Sequence, residues 1–156
     1  MTIATTLAKL KTRLEGISTP KPLAKVYDNP REPVDVGSFP VVVLSLDPQG
    51  QHRWSQATTG ASGLARHDYQ VAIWLFVGAR NRPISELHAE CMLWPEPIMA
   101  ALFAGLTLDN SVTFIGSGDG TLYTYTIGVI EWQGKDLFGL TLSLGVTEMI
   151  PTPMDA

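Results

Sequence analysis

The chain has 156 residues, 45% of them apolar and 17% charged, with a formal net charge of −4. That length suits one domain with a substantial core, and the low charge leaves surface to be covered. An acidic balance argues against holding nucleic acid by phosphate neutralisation, and a lone cysteine, Cys91, excludes an internal disulfide or a cysteine metal cluster.

The first helix is expected over about Thr2–Glu15. Ile3, Leu7, Leu10 and Leu14 share a stripe, with Lys9, Lys11 and Arg13 off it. Those three cations also interrupt what would have to be the apolar run of a secretory leader, and no segment reaches the ~18 apolar residues of a membrane helix. Gly16, Pro20 and Pro22 end the helix. A short extended piece at Leu23–Tyr27 follows, then a rigid irregular linker at Asp28–Gly37 with Pro30 and Pro33.

Phe39–Leu46 reads as a continuous apolar strand. The next stretch, about 47–64, is rich in Gly, Gln, Ser and Thr and is expected to be a flexible arm without regular structure. Arg66–Val77 is a strand with Val71, Ile73, Leu75 and Val77 on one face and Ala72, Trp74 and Phe76 on the other, so it is central or covered on both sides. Pro83, Ser85 and Glu86 open a long helix on which Ile84, Leu87, Cys91, Trp94, Ile98, Leu102 and Phe103 repeat at helical spacing. Trp94-Pro95-Glu96-Pro97 must kink it or split it into two abutting helices, ending near Gly105.

A short strand at about Ser111–Ile115 and a turn at Gly116–Gly120 lead to two long strands over Thr121–Glu148, joined at Gln133-Gly134-Lys135-Asp136. In the second, Phe138, Leu140, Leu142, Leu144 and Val146 alternate with Leu137, Gly139, Thr141, Ser143 and Gly145, a period of two. In the first, Tyr123, Tyr125, Ile127 and Val129 point one way and Ile130 and Trp132 the other. The expected fold is α+β: a mainly antiparallel sheet with an N-terminal helix and one long kinked helix packed on one face.

Chemistry-bearing patterns are thin. Gly116-Ser117-Gly118-Asp119-Gly120 lacks the Lys-Ser/Thr and the following helix of a phosphate loop and reads as a hairpin turn. His52, His67 and His88 have no zinc spacing, although His88 and Cys91 fall on neighbouring helical turns. His67 and Asp68 are adjacent in a strand, so they point to opposite faces and cannot orient one another. Glu86 and Glu90 read as a solvated helix face, and Glu131 as a carboxylate that a partner could bury. No catalytic set, cofactor or metal site is expected. The candidate interface residues are Arg53 and Trp54 near the start of the arm, Arg66 at its exit, Arg80 and Arg82 in the strand-to-helix turn, and Lys135 in the last hairpin.

The layout resembles the tail-terminator proteins of tailed bacteriophages, with their tail-completion and neck relatives. The resemblance rests on the N-terminal amphipathic helix, the Phe39–Leu46 strand, the polar arm, the run Arg66-His67-Asp68-Tyr69-Gln70-Val71-Ala72-Ile73-Trp74, the long helix, and a strand pair ending Gly139-Leu140-Thr141-Leu142-Ser143-Leu144 with a late Glu148. The kinked Trp94-Pro95-Glu96-Pro97 helix departs from that family pattern. The resemblance implies a virion protein, made in the host cytoplasm, that forms a homo-hexameric ring at the head-proximal end of the tail tube. Such a ring ends tube polymerisation, docks to the head connector, and passes DNA through its bore without specific binding. A tail-tube or head-closure protein is the nearest alternative, and a small ligand-binding domain or enzyme the next.

Overall fold

The computed structural model describes residues 3–29, 39–54, 62–79, 81–103, 114–115 and 123–153. Helix α1 spans Ile3–Glu15, strand β1 Lys25–Tyr27, β2 Val41–Trp54 and β3 Ser62–Ala79. Helices α2 (Ile84–Cys91) and α3 (Pro95–Leu102) follow, then β4 (Phe114–Ile115), β5 (Thr124–Trp132) and β6 (Lys135–Pro153). The linker through Pro30 and Pro33, the turn 116–120 and Arg80 lie outside the described residues.

The strands form one sheet in the order β1-β2-β3-β6, with β5 and then β4 along the far side of β6. Among the described residues only β1 and β2 run parallel, and the other pairings are antiparallel. The α+β class expected from the periodicities is the one observed. The 47–64 stretch is the main correction: 47–54 continue β2 and 62–64 begin β3, paired from Gly50↔Tyr69 to Trp54↔Ala65 after a register shift between Leu46 and Gly50. Backbone groups in a polar stretch still need partners, and a hairpin supplies them. Residues 55–61 lie outside the described residues.

The sheet separates two apolar layers, as a period of two requires. On the helix side Val42, Leu44, Val71, Ile73, Leu75, Leu140, Leu142 and Leu144 pack with Leu10 and Leu14 of α1, Leu87 and Cys91 of α2, and Ile98 and Leu102 of α3. On the other side Tyr27, Val41, Val43, Phe76 and Leu137 make a smaller cluster.

The proline-rich break yields two helices rather than one bent rod. Pro95 and Pro97 occupy the first turn of α3, where the N–H groups they lack would have no intrahelical partner. The chain bridges the break through Leu93 N–H to Glu90 O and Trp94 N–H to Cys91 O, both 3.1 Å, and buries Trp94. Arg13, expected on the solvent side of α1, donates from Nη1 to Leu102 O at 2.8 Å and satisfies a carbonyl at the C-terminus of α3.

The β5–β6 turn is shorter than expected, because Lys135 and Asp136 are already strand. Gln133 (φ 52°) and Gly134 (φ 78°) form the two-residue loop, both in the left-handed region that a type I′ turn demands. The hairpin tip then folds back over the second face. By register Trp74 lies level with Thr141 and Thr126, which is six residues, roughly 20 Å of straight strand, from Trp132. Yet the Trp132 ring stands 4.8 Å from that of Trp74 and 5.5 Å from that of Phe76. Gly139 lies within that span; a Cβ there would lie 1.9 Å from Leu75 O. Ile130 and Trp132 therefore close the second apolar cluster from within the same chain.

Candidate functional site

The structure divides the expected interface residues between the two ends of the sheet. Arg53 and Arg66 are register partners, and Trp54 pairs with Ala65, so these three positions gather at the far end of the β2–β3 hairpin. Lys135 and Arg82 belong to the opposite end: β6 runs fourteen residues, roughly 45 Å of extended chain, from Lys135 to Met149, the partner of Arg66. Arg82 is also engaged within the chain. Its guanidinium meets Glu90 twice, Nη2–Oε1 at 2.5 Å and Nη1–Oε2 at 3.3 Å, with Glu86 at 3.9 Å. That forked hydrogen bond holds the Glu90 carboxyl below its usual range and raises the Arg82 pKa further. Glu86 and Glu90 are thus the partners of an arginine clamp that reaches from the residue before Pro83 to the last turn of α2. Glu131, a strand carboxylate that a partner could bury, is exposed.

One polar constellation joins three elements that lie far apart in the sequence. Thr6 of α1, Tyr69 of β3 and Glu148 of β6 are all buried. The Tyr69 hydroxyl donates to Thr6 Oγ1 at 2.9 Å, and Thr6 stands 3.4 Å from Glu148 Oε1, which also lies 3.3 Å from the Tyr69 hydroxyl. His67, the register partner of Glu148, places Nδ1 3.8 Å from Oε2, with its ring 4.8 Å from that of Tyr69. Asp68 points the other way, as expected of a neighbour in a strand, and accepts from Thr147 Oγ1 at 2.8 Å. Burial, more than any neighbour, pushes the Tyr69 hydroxyl up to about 12. These groups answer one another across the α1–sheet junction, so the cluster fixes α1 on the sheet. The signal was present in the sequence: Glu148 continues the Phe138–Val146 apolar alternation, and His67 the Tyr69–Val77 one.

Among the described residues several large apolar groups lie at the surface. Ile84, Met92, Leu93, Met99, Tyr125 and Val129 are 39–57% exposed. Met92 and Leu93 sit in the break between α2 and α3, and Tyr125 and Val129 on β5. Tyr123 ties these regions together, its hydroxyl donating to Pro95 O at 2.7 Å and its ring stacking 6.1 Å from Phe103.

Among the described residues no group of three or more His, Cys, Asp or Glu side chains could hold a metal ion, and no helix is long and apolar enough to cross a membrane. No protein-family model matches the chain, and no curated protein is significantly similar to it.

Proposed function

We propose that this protein is a structural component of a phage tail–head junction, a ring-forming terminator that caps the tail tube and receives the head connector. The observation that carries the reading is the set of large apolar side chains left on the outside of a well-packed domain. Large apolar side chains outside the core are surface that another protein can cover. Strands β2, β3 and β6 run on together past the core, and the end of the β2–β3 pair brings the positions of Arg53, Trp54 and Arg66 together, a residue set suited to an interface. Six copies at −4 each would carry −24 in formal charge, and a bore sharing that sign lets DNA slide without sticking.

Negative-stain microscopy of the purified protein, alone and mixed with its tail-tube protein, tests the reading. Closed rings capping tube ends are the expected result. Open tubes of this protein alone would make it a tube subunit, and binding to the connector without tube capping a head-closure protein.

A further inference from the structure

Strand β5 bonds to β6 along one side, and among the described residues no strand pairs its other side. The direction of its backbone groups follows from the turn. A two-residue type I′ loop makes Trp132 and Lys135 a hydrogen-bonded pair, and hydrogen-bonded and non-bonded pairs alternate along an antiparallel ladder. Ile130, Gly128, Thr126 and Thr124 therefore turn their N–H and C=O groups toward β6. Tyr125, Ile127 and Val129 turn theirs outward.

The side chains of those three residues lie on the helix side. Ile127 packs against the main core, whereas Tyr125 and Val129, two residues to either side of it, are 45% and 44% exposed. This pattern is symmetric about Ile127. A second strand laid antiparallel about a two-fold axis there sets Tyr125 opposite Val129 of the partner subunit, and Val129 opposite the partner's Tyr125. Each is an aromatic–β-branched cross-strand pair of the favourable kind, and each opposed pair of residues exchanges both backbone bonds. No charged residue lies between Tyr123 and Ile130 to oppose a copy of itself.

We propose that β5 is a homodimerisation strand: in the free protein two copies join β5 to β5, antiparallel about Ile127, each covering the other's Tyr125 and Val129. Self-complementarity is what a two-fold interface requires. The inference does not rest on the ring reading. A two-fold pair has identical ends, so it belongs to the unassembled protein and must open before a polar ring forms on a tube.

Sedimentation velocity over a concentration series tests it with three proteins. The wild type is expected at twice the 16.9 kDa chain mass. The Tyr125→Lys/Val129→Lys variant sets like charges opposite one another and is expected to be monomeric, with unchanged far-UV circular dichroism because both sites are exposed. The Tyr125→Lys/Val129→Glu variant sets opposite charges across both pairs and is expected to dimerise again. Val129→Pro, which removes an outward N–H and no bond to β6, is a backbone check and should also be monomeric. A wild type of any mass other than the dimer, a Lys/Lys variant that stays dimeric, or a Lys/Glu variant that behaves like Lys/Lys would overturn the proposal. Rings on tubes without a free dimer would sink this inference and leave the ring reading standing; a free dimer that never rings tubes would do the reverse.

Discussion

The two long edges of the sheet are built on opposite plans. Along one, β1 offers three residues that include Lys25, and β2 beyond it carries Pro48, a register break between Leu46 and Gly50, and then His52 and Arg53. Short length, cations, proline and irregularity are the devices by which proteins keep an edge from recruiting another strand. Along the other, β5 runs nine residues in unbroken register, with neither lysine nor proline. Among the described residues its restraints are one carboxylate, Glu131, and the curled tip, where Trp132 is pinned on Trp74 and Phe76. Among the described residues the β5 edge is the more lightly guarded of the two, which suits the pairing proposed for it.

The contrast can be broken most severely at Gly139. Gly139→Ala drives a methyl into the Leu75 carbonyl where β6 crosses β3, so the whole β5 side loses its seat; a loss of more than about 3 kcal/mol is expected in urea unfolding. If stability is unchanged, the close approach of β6 to β3 is wrong. Trp132→Ala should cost less, about 2 kcal/mol, because the side chain is only partly buried. It should also free the tip, lowering the near-ultraviolet aromatic signal and increasing self-association as more of β5 is laid open.

Between the edges, the main core holds two acids that must stay neutral. Burial raises Tyr69 from 10.0 and Cys91 from 9.0, each to about 12. Because the folded state binds these protons more tightly than the unfolded chain, their contribution is complete below about pH 9 and is lost as pH rises toward 12. Thermal melting should fall over that window in the wild type, and less in Tyr69→Phe. The smallest effect is expected on the guarded edge. Lys25→Val should change stability by no more than about 0.5 kcal/mol while promoting association, measured by light scattering, because it removes one guard from an otherwise solvent-facing strand.

Much of this architecture was legible residue by residue. Period-two alternation gave β3 and β6 their faces, helical spacing gave α1 and the Leu87–Cys91–Ile98–Leu102 stripe, and Pro95 and Pro97 announced the break. The candidate interface residues were less so. Arg82 looked like a surface cation because its partners, Glu86 and Glu90, were read as a face of their own. The alternation put Ile130 and Trp132 on one face but not onto Trp74 and Phe76, because a strand pattern gives a side but not a curl. The 47–64 stretch looked like an arm because polar composition is shared by loops and by hairpins whose core lies elsewhere.

What the sequence determines alone is local: spacing, turn chemistry at Gln133-Gly134, and which residues share a face, since these depend on backbone geometry over a few neighbours. The tertiary structure decided what each face meets. Thr6 and Glu148 are 142 residues apart, and Trp132 finds Trp74 only because the hairpin folds back at its tip. Whether β5 is an inner strand or an open edge is a matter of which strand fails to arrive, and no run of neighbouring residues carries that information.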